Sequence, residues 1–417
     1  MKFYIQFFFI FVILFTGTLS QENVNSFYLP AEWEPHSGML ISGPDDSASI
    51  EMILHLSKDM SVYCYIEDTS EVTFRSNFTK AGVNLDNIHF ILSPKEFTYV
   101  VRDGLLFLKN PSGEKKLMNF SWNLYGMYFL PDYKDYCEID KKDRIIFSDI
   151  FQKTFPYPVI TSKMVNEGGA IETNGKGTIL QVESVNMQRN PTISKEEQEI
   201  ELKRTLNAKK VIWLKEGAAD DPLGYGALIT ENYFGIGCNG HLDEFCRFVN
   251  DSTILLSFPD TDEAEKDPVK KLTLERMKVN YEILKNSTDQ DGKPFTIIKF
   301  PIPDAENMTF ALDSVSVTKD IRWLSQTILY DYKSFSQGDT VHFVPASSYA
   351  NFLISNGMVF VAKYWKNGDP ETSKAKDEKV KEILEKYFPD RKIIQINPIS
   401  LNFHGGGLHC WSMQIPE

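Results

Sequence analysis

Strand-like and helix-like segments alternate along most of this chain, and that alternation predicts an α/β protein. With 417 residues and 42% hydrophobic content, the chain can bury a large core. Its length alone would suggest two or three domains. However, the sequence contains no Pro/Ser-rich linker, low-complexity tract or internal repeat that would mark a boundary. We therefore predict a single α/β domain.

The predicted strands are short runs rich in β-branched and aromatic residues, at residues 61–66, 211–214, 297–301 and 358–362. The predicted helices repeat apolar residues every three or four positions, over residues 194–207, 263–285 and 373–387. In the last of these, Val380, Ile383 and Leu384 share one face, and Pro389 lies just beyond its end. The pattern does not distinguish one open sheet from a ring of small sheets.

The N-terminus has the pattern of a secretory signal peptide. Lys2 precedes an apolar run at residues 7–15, and small residues follow it up to Ser20. We predict a signal peptide over residues 1–20 and a mature domain over residues 21–417, secreted or held in the endomembrane lumen. An uncleaved membrane anchor is the alternative. No later stretch approaches the ~20 apolar residues of a bilayer span, so we expect no membrane partner after cleavage.

Sequons and cysteines agree with such a compartment. Five Asn-x-Ser/Thr sequons predict a glycoprotein if the host glycosylates them: Asn77, Asn119, Asn250, Asn286 and Asn307. Four of the five cysteines could form two disulfides and leave Cys410 as the odd, reactive thiol. The four are Cys64, Cys137, Cys238 and Cys246, and free buried thiols are the equal alternative.

The net charge of −13 argues against nucleic acid as a partner, as does the lack of a basic stripe with interleaved aromatic residues. The acidic balance fits a small cationic substrate, through weak long-range attraction. Because the sequence has no Cys-x-x-Cys or His-Glu-x-x-His spacing, we predict neither a metal nor another cofactor. The oligomeric state stays open, and a homo-oligomer is one option.

The strongest functional signal is the segment Gly405-Gly406-Gly407-Leu408-His409-Cys410, near the C-terminus. Glycines such as Gly407 leave room for a ligand to approach the backbone. A cysteine in that space can act as a nucleophile when a base or a cation lowers its pKa. The chain offers a base at His241. For either segment alone, a buried structural thiol or a hydrogen-bonded core histidine is an equal explanation.

Carboxylates complete the set. Asp103 follows a β-like run, Glu167 begins a Glu-Gly-Gly turn, and Asp243 would share a face with His241 if the chain is extended there. Two carboxylates, a histidine and a thiol are what a guanidinium hydrolase needs. The carboxylates bind the planar cation, the thiolate attacks its central carbon, and the histidine transfers protons. Each acid alone has a structural explanation, as a surface turn, a turn cap or an exposed charge. Only their coincidence indicates function.

These segments resemble the agmatine deiminase and bacterial-type (Porphyromonas-type) peptidylarginine deiminase family, within the guanidine-modifying superfamily. The resemblance covers nearly all of the mature chain in ordered segments at residues 30–36, 102–103, 167–169, 186–191, 239–243, 348–352 and 406–416. It implies one deiminase catalytic domain over residues 21–417. The implied fold is a five-bladed α/β propeller of ββαβ units with the site at its pseudo-fivefold axis.

The resemblance also implies roles for the candidate residues. Cys410 is the nucleophile, His241 the general acid/base, and Glu167 the acid that orients or charges it. Asp103 and Asp243 hold the guanidinium nitrogens. The implied reaction is a two-step covalent hydrolysis, in which ammonia leaves, a thiouronium forms on Cys410, and water releases a ureido product. A Cys–His protease would share the thiol and the base but would not need paired acids.

The substrate is the open question among agmatine, free arginine and peptidyl arginine. Residues 120–126 (Phe-Ser-Trp-Asn-Leu-Tyr-Gly) resemble the aromatic-Asn-aromatic-Gly segment of agmatine deiminases and contain no arginine to bind a substrate carboxylate. This favours agmatine, whose deimination is a step of putrescine biosynthesis. The substrate-binding residues would then be Trp122, Asn123 and Gly407. Core packing is the alternative for Trp122. Secretion favours peptidyl arginine instead, and a guanidine-binding protein without turnover is the third hypothesis.

Overall fold

A computed structural model describes residues 26–95, 100–129, 134–304, 307–313, 328 and 334–417. The predicted signal peptide, residues 1–20, lies outside the described residues. In the described ranges, no helix combines the length and the apolar character that a membrane crossing requires.

The described strands are numbered here in chain order. They are β1 (His36–Ile41), β2 (Ser61–Glu67), β3 (Ile88–Ser93), β4 (Leu106–Lys109), β5 (Lys115–Ser121), β6 (Val159–Val165), β7 (Glu172–Thr173), β8 (Thr178–Val182), β9 (Lys210–Leu214), β10 (Leu223–Thr230), β11 (Tyr233–Cys238), β12 (Cys246–Asn250), β13 (Thr253–Ser257), β14 (Thr296–Phe300), β15 (Met308–Ala311), β16 (Thr340–Val344), β17 (Leu353–Ser355), β18 (Met358–Ala362), β19 (Lys392–Ile396) and β20 (Ser412–Pro416).

The described α-helices are numbered in the same way. They are α1 (Ser47–Leu56), α2 (Glu71–Ala81), α3 (Lys134–Thr154), α4 (Glu183–Arg189), α5 (Lys195–Leu206), α6 (Thr261–Ala264), α7 (Pro268–Lys285), α8 (Glu371–Tyr387) and α9 (Ile399–Asn402). Short 3-10 turns at Val101–Asp103, Gly168–Ala170 and Leu242–Glu244 carry residues of the candidate site.

One pattern recurs in five sheets of the described chain: a middle strand pairs antiparallel with one neighbour and parallel with another, and a connection that contains a helix leads directly from the middle strand to its parallel neighbour. The strand orders are β4-β5-β6, β7-β8-β9, β12-β13-β14, β17-β18-β19 and β20-β1-β2-β3. Helices lie in the connections between the parallel strands, as parallel pairing requires a crossover. A further sheet has the order β10-β11-β16-β15. The prediction of a mixed α/β fold is confirmed.

The middle strands carry the core. Every residue of β8, β13 and β18 is buried, because sheet neighbours flank these strands and helices cover them. Against β1 and β2, the apolar side of α1 packs with Met52 and Ile53. Such burial stabilises the fold by roughly 25 cal/mol for each Å² of apolar surface removed from water.

Helix boundaries follow the predicted signals closely. The helix predicted over residues 194–207 is α5, where Ser194 and Glu197 form a reciprocal capping box and Asn207 ends the helix with φ of 55°. In α8, Val380 and Leu384 are buried as predicted. The single helix predicted over residues 263–285 is wrong. It is α6 and α7, because Asp267 caps a new helix that starts at Pro268.

Chain ends and turns converge on one region. Strand β20 pairs antiparallel with β1, which fixes the thiol-bearing segment just before it. The turn at Gly168–Ala170 contacts both other turns, Val101–Asp103 and Leu242–Glu244. Arg102 ties its turn to the C-terminal segment by donating from Nε to the carbonyl of His409 at 3.2 Å.

Candidate active site

Cys410 lies between α9 and β20 and is buried, with 7% of its surface exposed. The glycines before it keep the thiol close to the backbone. Gly405 has φ of 86°, a conformation that favours glycine. A methyl group at Gly406 would lie 2.9 Å from Sγ of Cys410, so this position has no room for a side chain. The local sequence therefore places the thiol against a bare stretch of backbone.

Two consecutive carboxyl groups flank the thiol. Oδ2 of Asp243 and Oε1 of Glu244 each lie 3.5 Å from Sγ of Cys410. The segment is not extended, which was the condition for His241 and Asp243 to share a face, because residues 242–244 form a 3-10 turn. The tighter turn brings neighbouring acids to one side, and that is why Glu244 joins the site.

Asn351 joins the thiol to the second acid. Its Nδ2 donates to Sγ of Cys410 at 3.2 Å and to Oε1 of Glu244 at 2.9 Å. Its Oδ1 accepts from the backbone N–H of His409 at 2.9 Å. Asn351 was not among the predicted site residues, since 59 positions separate it from Cys410 and only the fold joins them. It lies in one of the segments that carry the family resemblance.

His241 belongs to a buried chain of charges. Its Nε2 lies 3.6 Å from Oε2 of Glu167, and Oε1 of Glu167 accepts from Nε of Arg189 at 2.8 Å. Asp221 fixes the loop that carries the histidine, accepting the backbone N–H groups of Gly240 at 2.9 Å and His241 at 2.6 Å. These contacts hold the ring while leaving Nε2 without a hydrogen-bond partner among the described residues.

The charges around His241 set its protonation. Burial disfavours the imidazolium, but the contact with Glu167 and the charges of Asp103, Glu167 and Asp221 outweigh it and raise the pKa of His241 to about 9. Burial likewise opposes ionisation of Glu167, yet Arg189 and His241 lower its pKa to about 2. At neutral pH, the pair is therefore an imidazolium facing a carboxylate.

Asp103 lies on the other side of the same space. Its Oδ2 accepts from the hydroxyl of Tyr125 at 2.9 Å, and its Oδ1 accepts from the N–H of Gly169 at 3.1 Å. Burial raises the pKa of Asp103, and the charge of His241 opposes that rise. A methyl group at Gly169 would lie 2.5 Å from Nδ1 of His241 and 3.1 Å from Oδ1 of Asp243. The glycine turn thus brings Asp103, His241 and Asp243 around one backbone segment.

His409 supports Asp243 from behind. Its Nδ1 lies 2.7 Å from Oδ2 of Asp243 and its Nε2 lies 2.7 Å from Oε2 of Glu32. Each ring nitrogen of His409 therefore lies within hydrogen-bond distance of a carboxylate oxygen. Burial opposes ionisation of Asp243, but the hydrogen bond and charge of His409 lower its pKa. Glu32 also binds Arg247 at 2.5 Å, so the network continues into the core.

The five predicted catalytic residues, Cys410, His241, Asp103, Asp243 and Glu167, are buried and lie in one connected cluster. Among the predicted substrate-binding residues, Gly407 is in the thiol segment, where a methyl group would lie 2.7 Å from Oδ1 of Asn351.

Trp122 and Asn123 make other contacts. The indole N–H of Trp122 donates to Oδ2 of Asp140 at 2.7 Å, and the ring packs edge-on against Tyr125. The amide of Asn123 donates to the carbonyl of Arg189 at 2.9 Å and supports the turn at Gly126. Of residues 120–126, the side chain bonded to a predicted catalytic residue is Tyr125.

The thiols are free. All five cysteines lack disulfide partners, including Cys238 and Cys246 on either side of His241. In the described ranges, one group of potential metal ligands has its atoms within 4.8 Å of one another, namely Asp243, Glu244 and Cys410. We assign these residues to the chemistry below and not to a metal, since an acidic cluster alone does not define a metal site.

A buried thiol 3.5 Å from two carboxyl groups, with an imidazolium in the same cluster, fits hydrolases that act on the C–N bonds of linear amidines, and the family comparison shows that class. A family model described as Porphyromonas-type peptidyl-arginine deiminase matches residues 28–416. The chain belongs to this family.

Relatives and solved structures agree over nearly the whole length. The Selenomonas ruminantium protein named "Putative agmatine deiminase" is 26% identical over 95% of this chain and 98% of its own length. The solved structure of the Enterococcus faecalis agmatine deiminase has a TM-score of 0.68 at 22% identity, covering 94% of this chain and 96% of that one. The C. jejuni agmatine deiminase gives 0.62 at 20% identity, with the same coverage. At these identities the structures establish the fold alone.

Proposed function

We propose that the protein is a deiminase that hydrolyses the guanidinium group of agmatine to N-carbamoylputrescine and ammonia. One observation carries the proposal: the side chains of Asp103, His241 and Asp243 meet at Gly169, and the Cys410 thiol contacts Asp243. Asp103 accepts from the N–H of Gly169, and His241 and Asp243 pack against that glycine. A planar guanidinium offers N–H donors to two carboxylates and an electrophilic carbon to the sulfur.

The first half of the reaction forms a covalent intermediate. Asp103 and Asp243 orient the guanidinium, and Sγ of Cys410 attacks its central carbon to give a tetrahedral adduct. His241, which is protonated at neutral pH, donates its proton to the departing nitrogen. The C–N bond breaks, ammonia leaves, and a planar thiouronium remains on Cys410.

The second half regenerates the thiolate. His241 is now neutral and accepts a proton from a water molecule that attacks the thiouronium carbon. As the C–S bond breaks, the hydroxyl group of the adduct becomes the C=O group of the ureido product, and its proton is released to solvent, where it converts the ammonia to ammonium. The neutral ureido product leaves, and the thiolate and the imidazolium are restored. Glu167 keeps the ring charged between turnovers through its contact at 3.6 Å. In this scheme, Asp103, Asp243, His241 and Cys410 touch reacting atoms, and Glu167 acts through the histidine.

The residues that surround the site support agmatine as the substrate over a compound that carries a carboxylate. Arg189 lies behind Glu167, and Glu167, Gln188 and the carbonyl of Cys238 engage its nitrogens. It is therefore not free to bind a substrate carboxylate. Tyr125 presents an aromatic ring 5.7 Å from the ring of His241, a surface that suits a cationic chain.

The test is ammonia release by purified residues 21–417 against agmatine, free arginine and a blocked peptidyl arginine. We expect turnover of agmatine, with Cys410→Ala inactive but folded by circular dichroism. Turnover of the peptide alone would replace agmatine with protein arginine. Ligand binding without turnover of any of the three would favour a guanidine-binding protein.

Three broader expectations belong to the same proposal. We propose that the five sheets of shared pattern are arranged around one axis as a five-bladed propeller, which an experimental structure would test.

We also propose that the chain is cleaved near Ser20 and secreted or kept in the endomembrane lumen, which N-terminal sequencing of the mature protein would test. Size-exclusion chromatography with light scattering would show whether it forms a homo-oligomer.

A further inference from the structure

We propose that Glu244 and Cys410 share a single proton, and that Glu244 takes the proton of the thiol when the thiolate forms. The inference rests on the nucleophilic role of Cys410 in the proposed function. It concerns an acid that the reaction described above does not use, although Oε1 of Glu244 lies 3.5 Å from Sγ.

The geometry is that of a pair and not of two separate groups. Asn351 donates from one nitrogen to both Sγ of Cys410 and Oε1 of Glu244, at 3.2 and 2.9 Å. All three residues are buried. Two negative charges 3.5 Å apart in such surroundings repel strongly, so one proton stays on the pair over a wide pH range. Moving it from sulfur to the carboxylate creates the nucleophile without changing the total charge.

The other groups at the thiol already have fixed protonation states. Asp243 is held as a carboxylate by His409 at 2.7 Å. His241 interacts with Glu167 and Asp103 and is already protonated at neutral pH, so it cannot accept the proton of the thiol. Burial and the charge of Asp243 raise the pKa of Glu244 well above its usual range, which makes this acid the ready acceptor.

Glu244 also has a route to solvent. Of the two acids at the thiol, it is the one that lines a cleft, together with Asp220, Ser347 and Ser348. Water in that cleft offers a route by which Glu244 can exchange its proton.

Other ionisable groups influence the pair and must be controlled for. Those whose charges act on Glu244, on Cys410 or on both are Arg102, Asp103, Asp220, Asp221, Asp243 and Tyr364. Burial raises the pKa of Asp220 to about 7, so it titrates in the range of interest. Asp220 lines the same cleft as Glu244 but does not bond to the thiol, and Asp220→Asn is therefore the matched control.

The experiment is alkylation of Cys410 by iodoacetamide between pH 6 and about pH 8.5, followed by mass spectrometry of the peptide that contains Cys410. In the wild type, the thiolate fraction of a one-proton pair is independent of pH, so we expect a flat rate profile. In Glu244→Gln the thiol must lose its proton to solvent, so the rate should rise about tenfold per pH unit. Asp220→Asn should keep the flat profile.

A tenfold rise per pH unit in the wild type, or a flat profile in Glu244→Gln, would overturn the proposal. If Glu244→Gln does not fold, Glu244→Ala also lacks a proton acceptor and should give the same rising profile. Because no substrate is added, the result is separate from the identity of the substrate. If the alkylation profiles are as expected but none of the three substrates is turned over, the proposed function would be refuted and the shared proton would still be supported.

Discussion

The Arg189–Glu167–His241 chain gives the sharpest prediction, because one substitution should change both stability and chemistry. The side chains of Glu167 and Arg189 are 0% and 1% exposed, with Nε and Oε1 2.8 Å apart. Glu167→Gln keeps the shape of the side chain but leaves the Arg189 charge buried without its counter-ion. Stranding one partner of a buried pair costs about 3–5 kcal/mol of unfolding free energy.

The same change should alter the histidine. A pKa rise from 6.5 to about 9 corresponds to roughly 3 kcal/mol in favour of the imidazolium, and contacts with Glu167 supply a large part of it. In Glu167→Gln, His241 should therefore lose its proton nearer neutral pH. His241 is the general acid of the proposed mechanism, and loss of a general acid typically reduces the rate by about 10²–10⁴-fold. Ammonia release across pH 6–10 should show activity falling at lower pH than in the wild type.

Urea unfolding of the wild type and four variants isolates the effect on stability. Arg189→Met strands Glu167 and should also cost about 3–5 kcal/mol. In the double variant both charges of the pair are removed, so neither is left buried without its partner. Its loss of unfolding free energy should therefore be smaller than the sum of the two single losses by about 2 kcal/mol or more. Glu382→Gln, which breaks an exposed ion pair with Lys379, is the control and should change stability by about 1 kcal/mol or less. Additive losses, or a loss below about 1 kcal/mol for Glu167→Gln, would refute the reasoning.

Four further predictions concern residues in and around the same site. Because the pKa of His241 is raised, its stabilising contribution should be complete below pH 6.5 and lost as pH rises to about 9, which urea unfolding at several pH values would show. The lowered pKa of Glu167 predicts the reverse at acid pH, with a contribution present above pH 4.5 and lost towards pH 2. Gly169→Ala should reduce ammonia release by about 100-fold or more while the protein stays folded, because its methyl group would lie 2.5 Å from Nδ1 of His241; wild-type rates would contradict the close packing. Trp122→Phe should lower the free energy of unfolding by about 1–2 kcal/mol, because the hydrogen bond to Asp140 is lost, and should change the KM for agmatine little. A large rise in KM with unchanged stability would instead show that Trp122 contacts the substrate.

Local signals in the sequence were sufficient where the cause of a structure is itself local. Ser194 and Glu197 predict the start of α5 because a capping box involves only four residues. By contrast, the helix predicted over residues 263–285 is two helices, since the stop at Asp267 and Pro268 interrupts an otherwise continuous apolar repeat. The period of a pattern predicts the type of an element more reliably than its continuity.

The site was predictable only in part, for the same reason. Residue types and the family resemblance bring Cys410 and His241 to attention. The roles of Asn351 and Glu244 depend on a contact across 59 residues and on a tight turn that no spacing reveals. Trp122 shows the opposite case. Its aromatic segment suggests substrate contact, whereas its N–H group binds Asp140.

Charge balance explains why such a site suits a cation that becomes neutral during the reaction. Burial and the nearby carboxylates raise the pKa of Cys410 well above its usual range, so the resting protein favours the thiol. In the proposed reaction, a bound guanidinium places a positive charge beside Asp103, Asp243 and the sulfur, and this charge lowers the free-energy cost of forming the thiolate. Once ammonia has left and water has been added, the ureido product carries no charge at that position. The carboxylates then lose their counter-ion, and the site that bound the substrate cation no longer favours the product.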